Sequence, residues 1–172
     1  MQESISAPQV GGIVKLTGFI LKTSLIIEMI GAALLAPVFC NDLGIAKGLW
    51  YSLFHSISAF CNAGFDLFGI REPFSSLTFY HSNIYLNIII MMLIITGGIG
   101  FLVWGDIRIH KNRIRRFSLQ SKVVLMTSAV LIVLPALYFF FYEYDCETIH
   151  DRTIHSLFQS VTTRTAGFNT TD

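Results

Sequence analysis

Charged side chains are scarce in this sequence, and their scarcity sets the class of protein. Asp, Glu, Lys and Arg make up 13% of the 172 residues, about half the share that a soluble domain carries. Hydrophobic residues make up 53%, and the mean hydropathy is +0.61. The polar start of the chain lacks the basic cluster of a secretory signal. The composition therefore predicts a membrane protein.

The sequence also lacks the spacings that mark disulfide frameworks, metal centres and hydrolytic enzymes. Its three cysteines, Cys40, Cys61 and Cys146, are odd in number and have no zinc or redox spacing. Five histidines raise a membrane enzyme as an alternative, but they form no HExxH motif and no paired acid motif. We therefore expect neither an enzyme nor a cofactor held by this chain.

Three apolar runs are long enough to cross a bilayer, which takes about 20 residues. The clearest spans are residues 84–105 and 119–142. Residues 12–39 form a weaker candidate, because two lysines and Glu28 interrupt the run. An acid at membrane depth usually faces protein or water, and we assign Glu28 no transport role.

Two shorter apolar segments, residues 48–60 and 152–163, lie after the first and third spans. As helices they would be about 20 Å long, too short for a hydrocarbon core of about 30 Å. Their polar residues are Ser, His, Gln and Thr rather than the Lys and Arg of most surface helices. Helices on the membrane surface are the alternative, but re-entrant helices buried in protein fit this composition better.

Each short segment ends in a similar phrase, FHSISAFCNAGF at Phe54–Phe65 and FQSVTTRTAGF at Phe158–Phe168. The glycines Gly64 and Gly167 are 103 residues apart, whereas the serines Ser52 and Ser156 upstream of them are 104 apart. An isolated Ala-Gly-Phe would indicate a plain turn, but two copies in the same context indicate a repeat.

The repeat predicts an all-α membrane protein of span, re-entrant pore helix, filter strand and span. Residues 12–105 form one full unit, and residues 119–172 form a partial unit. A polar segment, 1–11, precedes the full unit, and a basic loop, 106–118, joins the two units. The stretch from Asp106 to Lys122 has six basic residues against one acid, which predicts a cytoplasmic loop and extracellular pore loops. Nucleic-acid or lipid binding is the alternative reading of a basic run, and we expect no nucleic acid.

The predicted chemistry is cation binding by main-chain oxygens at the ends of the two pore helices. A helix C-terminus carries about half a negative charge and favours a cation, and carbonyls can replace the hydration shell of an ion. Glycine allows the backbone geometry that aligned carbonyls need. No strong acid lies in either strand, which favours carbonyl coordination over a charged ring. The predicted filter residues are Cys61, Asn62, Ala63, Gly64 and Phe65 in the first strand, and Thr165, Ala166, Gly167 and Phe168 in the second.

Two charged residues flank the predicted strands. Asp66 follows the first strand, either at an outer pore mouth, where it would concentrate cations, or as an ordinary loop residue. Arg164 precedes the second strand and would repel a cation if it faced the pore. We expect it to point back into the protein and to pair with an acid or with helix carbonyls.

The motifs FHSISAFCNAGFDLFG, ITGGIGFLVWGDI, RRFSLQSK and SVTTRTAGFNT resemble those of the KtrB/TrkH superfamily of potassium-transport membrane subunits, KtrB more closely. The resemblance covers residues 10–170. It implies four unlike units around one potassium pathway, with residues 61–65 as the second filter and residues 165–168 as the third. Glycine in both strands, where some relatives have serine, implies a preference for potassium.

The same resemblance implies the cellular setting of the protein. It implies the bacterial plasma membrane, potassium as the transported ion, and contact with membrane lipids. Sodium activation is left open. The implied protein partners are the remaining pore units, a second copy in a homodimer, and cytosolic nucleotide-binding regulatory subunits of the KtrA/TrkA type. Gly97, Gly98 and Gly100 would allow the second span to pack closely.

This sequence holds about one and two-thirds of the four units, and we read it as a fragment. A truncated or assembly subunit without independent transport is therefore the alternative function. A smaller channel built from several identical copies ranks lower, because the final span of the partial unit would have to come from elsewhere.

Overall fold

The computed structural model describes residues 10–70, 75–111, 114–143 and 148–170. Six α-helices form in these ranges, together with short 3₁₀ turns and one π-helical turn, and the described residues contain no β-strand. The helices are α1 (Val10–Leu43), α2 (Ile45–Phe60), α3 (Ile84–Ile99), α4 (Phe101–His110), α5 (Leu119–Tyr138) and α6 (Ile149–Thr165). The predicted all-α class is confirmed. Cys146 and most of the predicted segment 1–11 lie outside the described residues.

Two helices are long and apolar enough to cross a membrane. They are α1, over Val14–Leu43, and α5 with its π-helical continuation, over Leu119–Glu143; α3 and α4 supply a third if they count as one bent span. Large apolar side chains on these helices face outward, as Leu25 and Met126 do at 60% and 74% exposure. A soluble monomer rarely exposes apolar patches of this extent, so the helices have the surfaces expected in a membrane.

The helix ends differ from the predicted boundaries by a few residues. The sequence predicts the first span at 12–39, and the helix extends to Leu43; it predicts the first pore helix at 48–60, and the helix begins at Ile45. The second pore helix, predicted at 152–163, runs over Ile149–Thr165. Its start is set by Thr148, whose hydroxyl accepts a hydrogen bond from the Asp151 backbone, as N-cap residues do.

The second span, predicted as one helix over 84–105, is broken. Helices α3 and α4 meet at Gly100 with a bend of 91°. Gly100 has φ 88° and ψ 154°, a backbone conformation essentially restricted to glycine. It therefore ends α3 instead of providing close packing. Gly97 does provide it, because a Cβ there would lie 1.8 Å from the Phe60 carbonyl oxygen.

The two pore helices are held in equivalent ways. Helix α2 packs on α1 and α3, and α6 packs on α5 and α3. Ser56 on α2 donates a hydrogen bond to the Glu28 carbonyl of α1 at 2.7 Å. Ser160 on α6 donates to the Ile132 carbonyl of α5 at 2.5 Å. The donors Ser56 and Ser160 are 104 residues apart, and so are the acceptors Glu28 and Ile132. The repeat therefore extends to individual hydrogen bonds.

Helix α3 belongs to the first unit and packs both on α2 and on α6 of the second unit. The main hydrophobic core forms around it. The members of this core include Leu35 and Phe39 of α1, Ile90 of α3 and Phe158 of α6. The polar faces of the pore helices also point inward. Their buried polar residues are Ser52, His55, Ser56 and Ser58 on α2, and His155, Ser156, Ser160 and Thr162 on α6. The short helices are therefore inside protein on their polar sides, not presented to water.

One carboxylate links the two ends of the predicted basic loop by hydrogen bonds. Asp106 on α4 accepts hydrogen bonds from the Ser118 backbone at 3.0 Å, the Ser118 hydroxyl at 2.7 Å and the Ser121 hydroxyl at 2.6 Å. The hydrogen bonds from Ser121 and Ser118 lower the pKa of Asp106 to about 2. This carboxylate ties the segment beyond the break to the start of α5.

Candidate functional site

The two predicted filter strands lie side by side. A Cβ placed on Gly64 would lie 2.0 Å from the carbonyl oxygen of Ala166, so the two backbones are in direct contact there. Gly64 has φ +70° and Gly167 has φ +82°, in the left-handed region that L-residues avoid. The glycines of both repeats therefore occupy the same special backbone geometry near one shared position.

Each strand begins in the last turn of its pore helix. Cys61 has helical dihedral angles at the end of α2, and Asn62 follows with φ 54°. Thr165 is the last residue of α6, and Ala166 still has right-handed helical angles. The last residue with right-handed helical angles is therefore Cys61 in the first strand and Ala166 in the second.

Asn62 joins the two strands to each other and to α3. With its amide oriented so that nitrogen faces acceptors and oxygen faces a donor, it donates to the Thr165 hydroxyl at 2.7 Å and to the Ile94 carbonyl at 3.2 Å. Its oxygen then accepts from the Gly98 backbone at 3.2 Å. One side chain thus fixes the inner ends of both strands against the broken span.

The main-chain oxygens of the strands divide into two groups. The Phe65 oxygen accepts a hydrogen bond from the Ser58 hydroxyl at 2.8 Å, and the Phe168 oxygen accepts one from the Thr162 hydroxyl at 2.7 Å. Within the described parts of the chain, the other seven main-chain oxygens of the predicted filter residues accept no hydrogen bond. Four of them, at Ala63, Gly64, Ala166 and Gly167, lie where the two strands meet; the other three belong to Cys61, Asn62 and Thr165.

The electrostatics of this position favour a cation. Helix α2 ends at Phe60 and helix α6 at Thr165, and the residues that follow are in contact, Asn62 with Thr165 and Gly64 with Ala166. Two helix ends of partial negative charge therefore lie close together. No carboxylate belongs to either strand. The Glu28 carboxylate on α1 lies nearby, 4.0 Å from the Cys61 sulfur at the inner end of the first strand.

The loop of the first unit holds the outer end of the second strand. The Leu77 backbone donates to the Asn169 carbonyl at 2.9 Å, and the Asn169 backbone donates to the Ser76 hydroxyl at 3.1 Å. Nothing in the sequence analysis pointed to Ser76 or Leu77, because this contact joins residues more than 90 positions apart.

A buried histidine packs behind both strands. His55 is fully buried, and its Nδ1 lies 2.7 Å from the Tyr51 carbonyl. Its ring lies 4.9 Å from that of Phe68 and 6.4 Å from that of Phe168, between centroids. His55 thus connects the first pore helix with the second strand by packing, a role that its identity alone did not indicate.

The two flanking charges have different surroundings. The Asp66 carboxylate accepts a hydrogen bond from the Phe68 backbone at 2.9 Å and shapes the turn after the first strand. The Arg164 guanidinium approaches α3, with Nη2 3.5 Å from where a Cβ on Gly98 would lie. Among the described residues Arg164 has no ion pair or hydrogen bond, so the structure shows neither the acid nor the carbonyls proposed as its partners.

Comparison with known proteins gives a consistent family match. The sequence model of the family described as TrkH, cation transport protein, matches residues 2–172. Potassium/sodium uptake protein NtpJ of Enterococcus hirae is 39% identical over all of this chain. Ktr system potassium uptake proteins B and D of Bacillus subtilis are 38% and 32% identical over 100% and 95% of the chain.

The matched region is only part of each relative. The chain spans 38% of the length of NtpJ, 39% of that of the Bacillus subtilis protein B and 37% of that of protein D.

Proposed function

The chain belongs to the TrkH family of cation transport proteins, and from this premise we propose that it forms part of a potassium pathway across the cell membrane. In this proposal, potassium sheds its water and is bound by main-chain oxygens of the two strands. The predicted family resemblance is confirmed by the match. So is the prediction that the chain is not an enzyme, since its relatives are transport proteins.

The observation that carries the proposal is the set of unpaired oxygens where the two strands meet. The oxygens of Ala63, Gly64, Ala166 and Gly167 accept no hydrogen bond among the described residues. Ala63 and Gly167 are exposed and Gly64 is half-buried, so these oxygens are accessible to an ion, and a cation that sheds its hydration shell needs such oxygens. The two converging helix ends add a negative potential at the same place.

The names of the relatives support potassium as the ion and a larger assembly. NtpJ is named for potassium and sodium uptake, and the Ktr proteins are named for potassium uptake as members of a system. We extend this to potassium as substrate, with sodium as a second ion to be tested. The proposed partners are further pore units, a second copy of the protein and cytosolic nucleotide-binding subunits.

The orientation follows from the distribution of charge. Basic residues concentrate in the segment around 106–118. The segments before the pore helices and after the first strand carry most of the acids, which are Asp42, Asp66, Glu72, Glu143, Asp145, Glu147 and Asp151. Lys and Arg are retained in the cytoplasm in short loops. We therefore place this segment on the cytoplasmic side and the filter entrances outside.

One observation favours the alternative of a part without independent transport. A Cβ on Gly64 would meet Ala166, but a Cβ on Gly167 would meet nothing within 4 Å. The second strand thus has an open side where the first has a neighbour. Two strands leave a pathway open laterally, so these 172 residues need further strands to enclose an ion.

Rubidium uptake by bacteria that lack their own potassium uptake tests the proposal. Cells producing the complete reading frame are compared with cells producing residues 1–172 alone and with cells carrying Gly64→Asp. We expect uptake only with the complete wild-type protein, inhibited by added potassium. Uptake unaffected by Gly64→Asp would contradict the filter assignment, and uptake by residues 1–172 alone would contradict the need for further strands.

A further inference from the structure

Hydroxyl groups on the two pore helices occur in matched pairs. Ser52 and Ser156 donate to carbonyls one turn back in their own helices, those of Gly48 and Arg152, at 2.7 and 2.6 Å. The pair Ser56 and Ser160, described above, holds each helix against its span. Among the described residues, the hydroxyls of the pair Ser58 and Thr162 donate neither to their own helix nor to a span.

Ser58 and Thr162 instead reach forward to the filter. Their hydroxyls donate to the carbonyl oxygens of Phe65 and Phe168, seven and six residues later. In both strands the acceptor is the residue directly after the positive-φ glycine. Both donors are buried, at 5% and 2% exposure. The bond from Thr162 to Phe168 is fully buried, whereas the bond from Ser58 to Phe65 is partly buried.

A carbonyl held in this way cannot turn freely. The peptide group is planar, so fixing the Phe65 oxygen also fixes the plane that joins Phe65 to Asp66. Without the hydroxyl, this peptide can rotate about the ψ of Phe65 and the φ of Asp66, the two dihedral angles that flank it, and Asp tolerates a positive φ better than most residues. The donor on a rigid helix therefore selects one orientation of the outer peptide in each strand.

We propose that Ser58 and Thr162 are positioning residues that turn the Phe65 and Phe168 carbonyls toward the pore helices and so end the ion-binding array at Gly64 and Gly167. This inference rests on the proposed function. It also changes the predicted role of two residues, since Phe65 and Phe168 become anchors of the strands and not ligands of the ion.

Paired variants in the complete protein test the proposal. Ser58→Ala and Thr162→Val remove the donors, whereas Ser58→Thr and Thr162→Ser keep a hydroxyl. Ser52→Ala and Thr163→Val are the controls, because those hydroxyls bond carbonyls of their own helices. The measurements are the KM and maximal rate of rubidium uptake and the discrimination against sodium.

We expect Ser58→Ala and Thr162→Val each to reduce discrimination against sodium by about five- to tenfold, the effect of one hydrogen bond on an equilibrium. The hydroxyl-retaining variants and the controls should keep wild-type discrimination. If Ser58→Ala does not reach the membrane, Ser58→Cys, a weaker donor of similar size, replaces it.

Three results would overturn the inference. Wild-type discrimination in both donor-free variants would exclude a positioning role. An equal loss in Ser52→Ala and Thr163→Val would assign the effect to helix packing. Absence of uptake by the wild-type protein would overturn the proposed function together with this inference, whereas the first two results leave the proposed function intact.

Discussion

The α-carbon of Gly64 faces the carbonyl oxygen of Ala166, so closely that a Cβ on Gly64 would lie 2.0 Å from that oxygen. Two requirements therefore meet at this residue, a left-handed φ and the absence of a side chain. Gly167 has only the first requirement among the described residues, because a Cβ added there would have nothing within 4 Å.

Gly64→Ala should reduce rubidium uptake more than Gly167→Ala. The left-handed conformation costs an L-residue about 1–2 kcal/mol, and this applies at both positions. Gly64→Ala adds a clash with backbone, which cannot move aside as a flexible side chain can. Initial rates of uptake, corrected for the amount of protein in the membrane, check the order.

Gly69→Ala is the matched control, since Gly69 has space for a Cβ and no positive φ. It should transport as the wild type does. Equal rates for Gly64→Ala and Gly69→Ala would show that the close approach of the two strands is not required for uptake.

Asn62→Gly should destabilise the contact between the two predicted filter strands. The variant keeps the positive φ but loses the bonds to Thr165, Ile94 and Gly98. Each bond contributes about 1 kcal/mol net, so the melting temperature of the purified protein in detergent should fall. Lys111→Gly is the control, because Lys111 also has a positive φ, 50°, but lies outside the filter. A melting temperature of Asn62→Gly equal to that of Lys111→Gly would argue against the bridge.

The repeat in the sequence marked the two glycines that have a positive φ in the structure, for a physical reason. A positive φ restricts the residue type strongly, so Gly64 and Gly167 mark the backbone geometry in the sequence itself. The sequence also indicated that two of the helices are too short to span a membrane, because membrane thickness sets the length that spanning requires, although each helix is three to five residues longer than predicted.

Other features were hidden because the sequence does not encode them locally. The break at Gly100 was missed because Gly97, Gly98 and Gly100 look alike in an apolar run, and only the packing around each one separates their roles. One indication of the hydrogen bonds of Ser58 and Thr162 was present in the sequence, because both residues carry a hydroxyl and are separated by the repeat distance of 104 residues. Their acceptors could not be deduced, because a serine in a helix more often bonds its own helix or a neighbour.

Gly100→Ala should destabilise the bend between α3 and α4. At φ 88° and ψ 154° an alanine is strained, by about 1–3 kcal/mol for such a conformation. The Trp104 indole, which donates to the Thr96 carbonyl across the break at 3.2 Å, should lose its partner as the helices realign. Tryptophan fluorescence and the melting temperature check this. Gly105→Ala, within α4 and with space for a Cβ, should leave both unchanged; a similar shift in the two variants would exclude strain at the bend as the cause.

Asp106→Asn should release the start of α5 from α4 at neutral pH. The Asp106 carboxylate accepts three hydrogen bonds from Ser118 and Ser121, which lower its pKa to about 2. Since the folded-state pKa lies below the ordinary value of about 4, the contribution of this carboxylate is fully present above about pH 4 and is lost as the pH falls toward about 2. Amide hydrogen exchange at residues 118–122 should therefore be faster in Asp106→Asn than in the wild type at neutral pH. The two proteins should converge near the folded-state pKa, after correction for the intrinsic exchange rate. A difference that persists unchanged at that acidic pH would mean that the charge of Asp106 does not hold the two helices together.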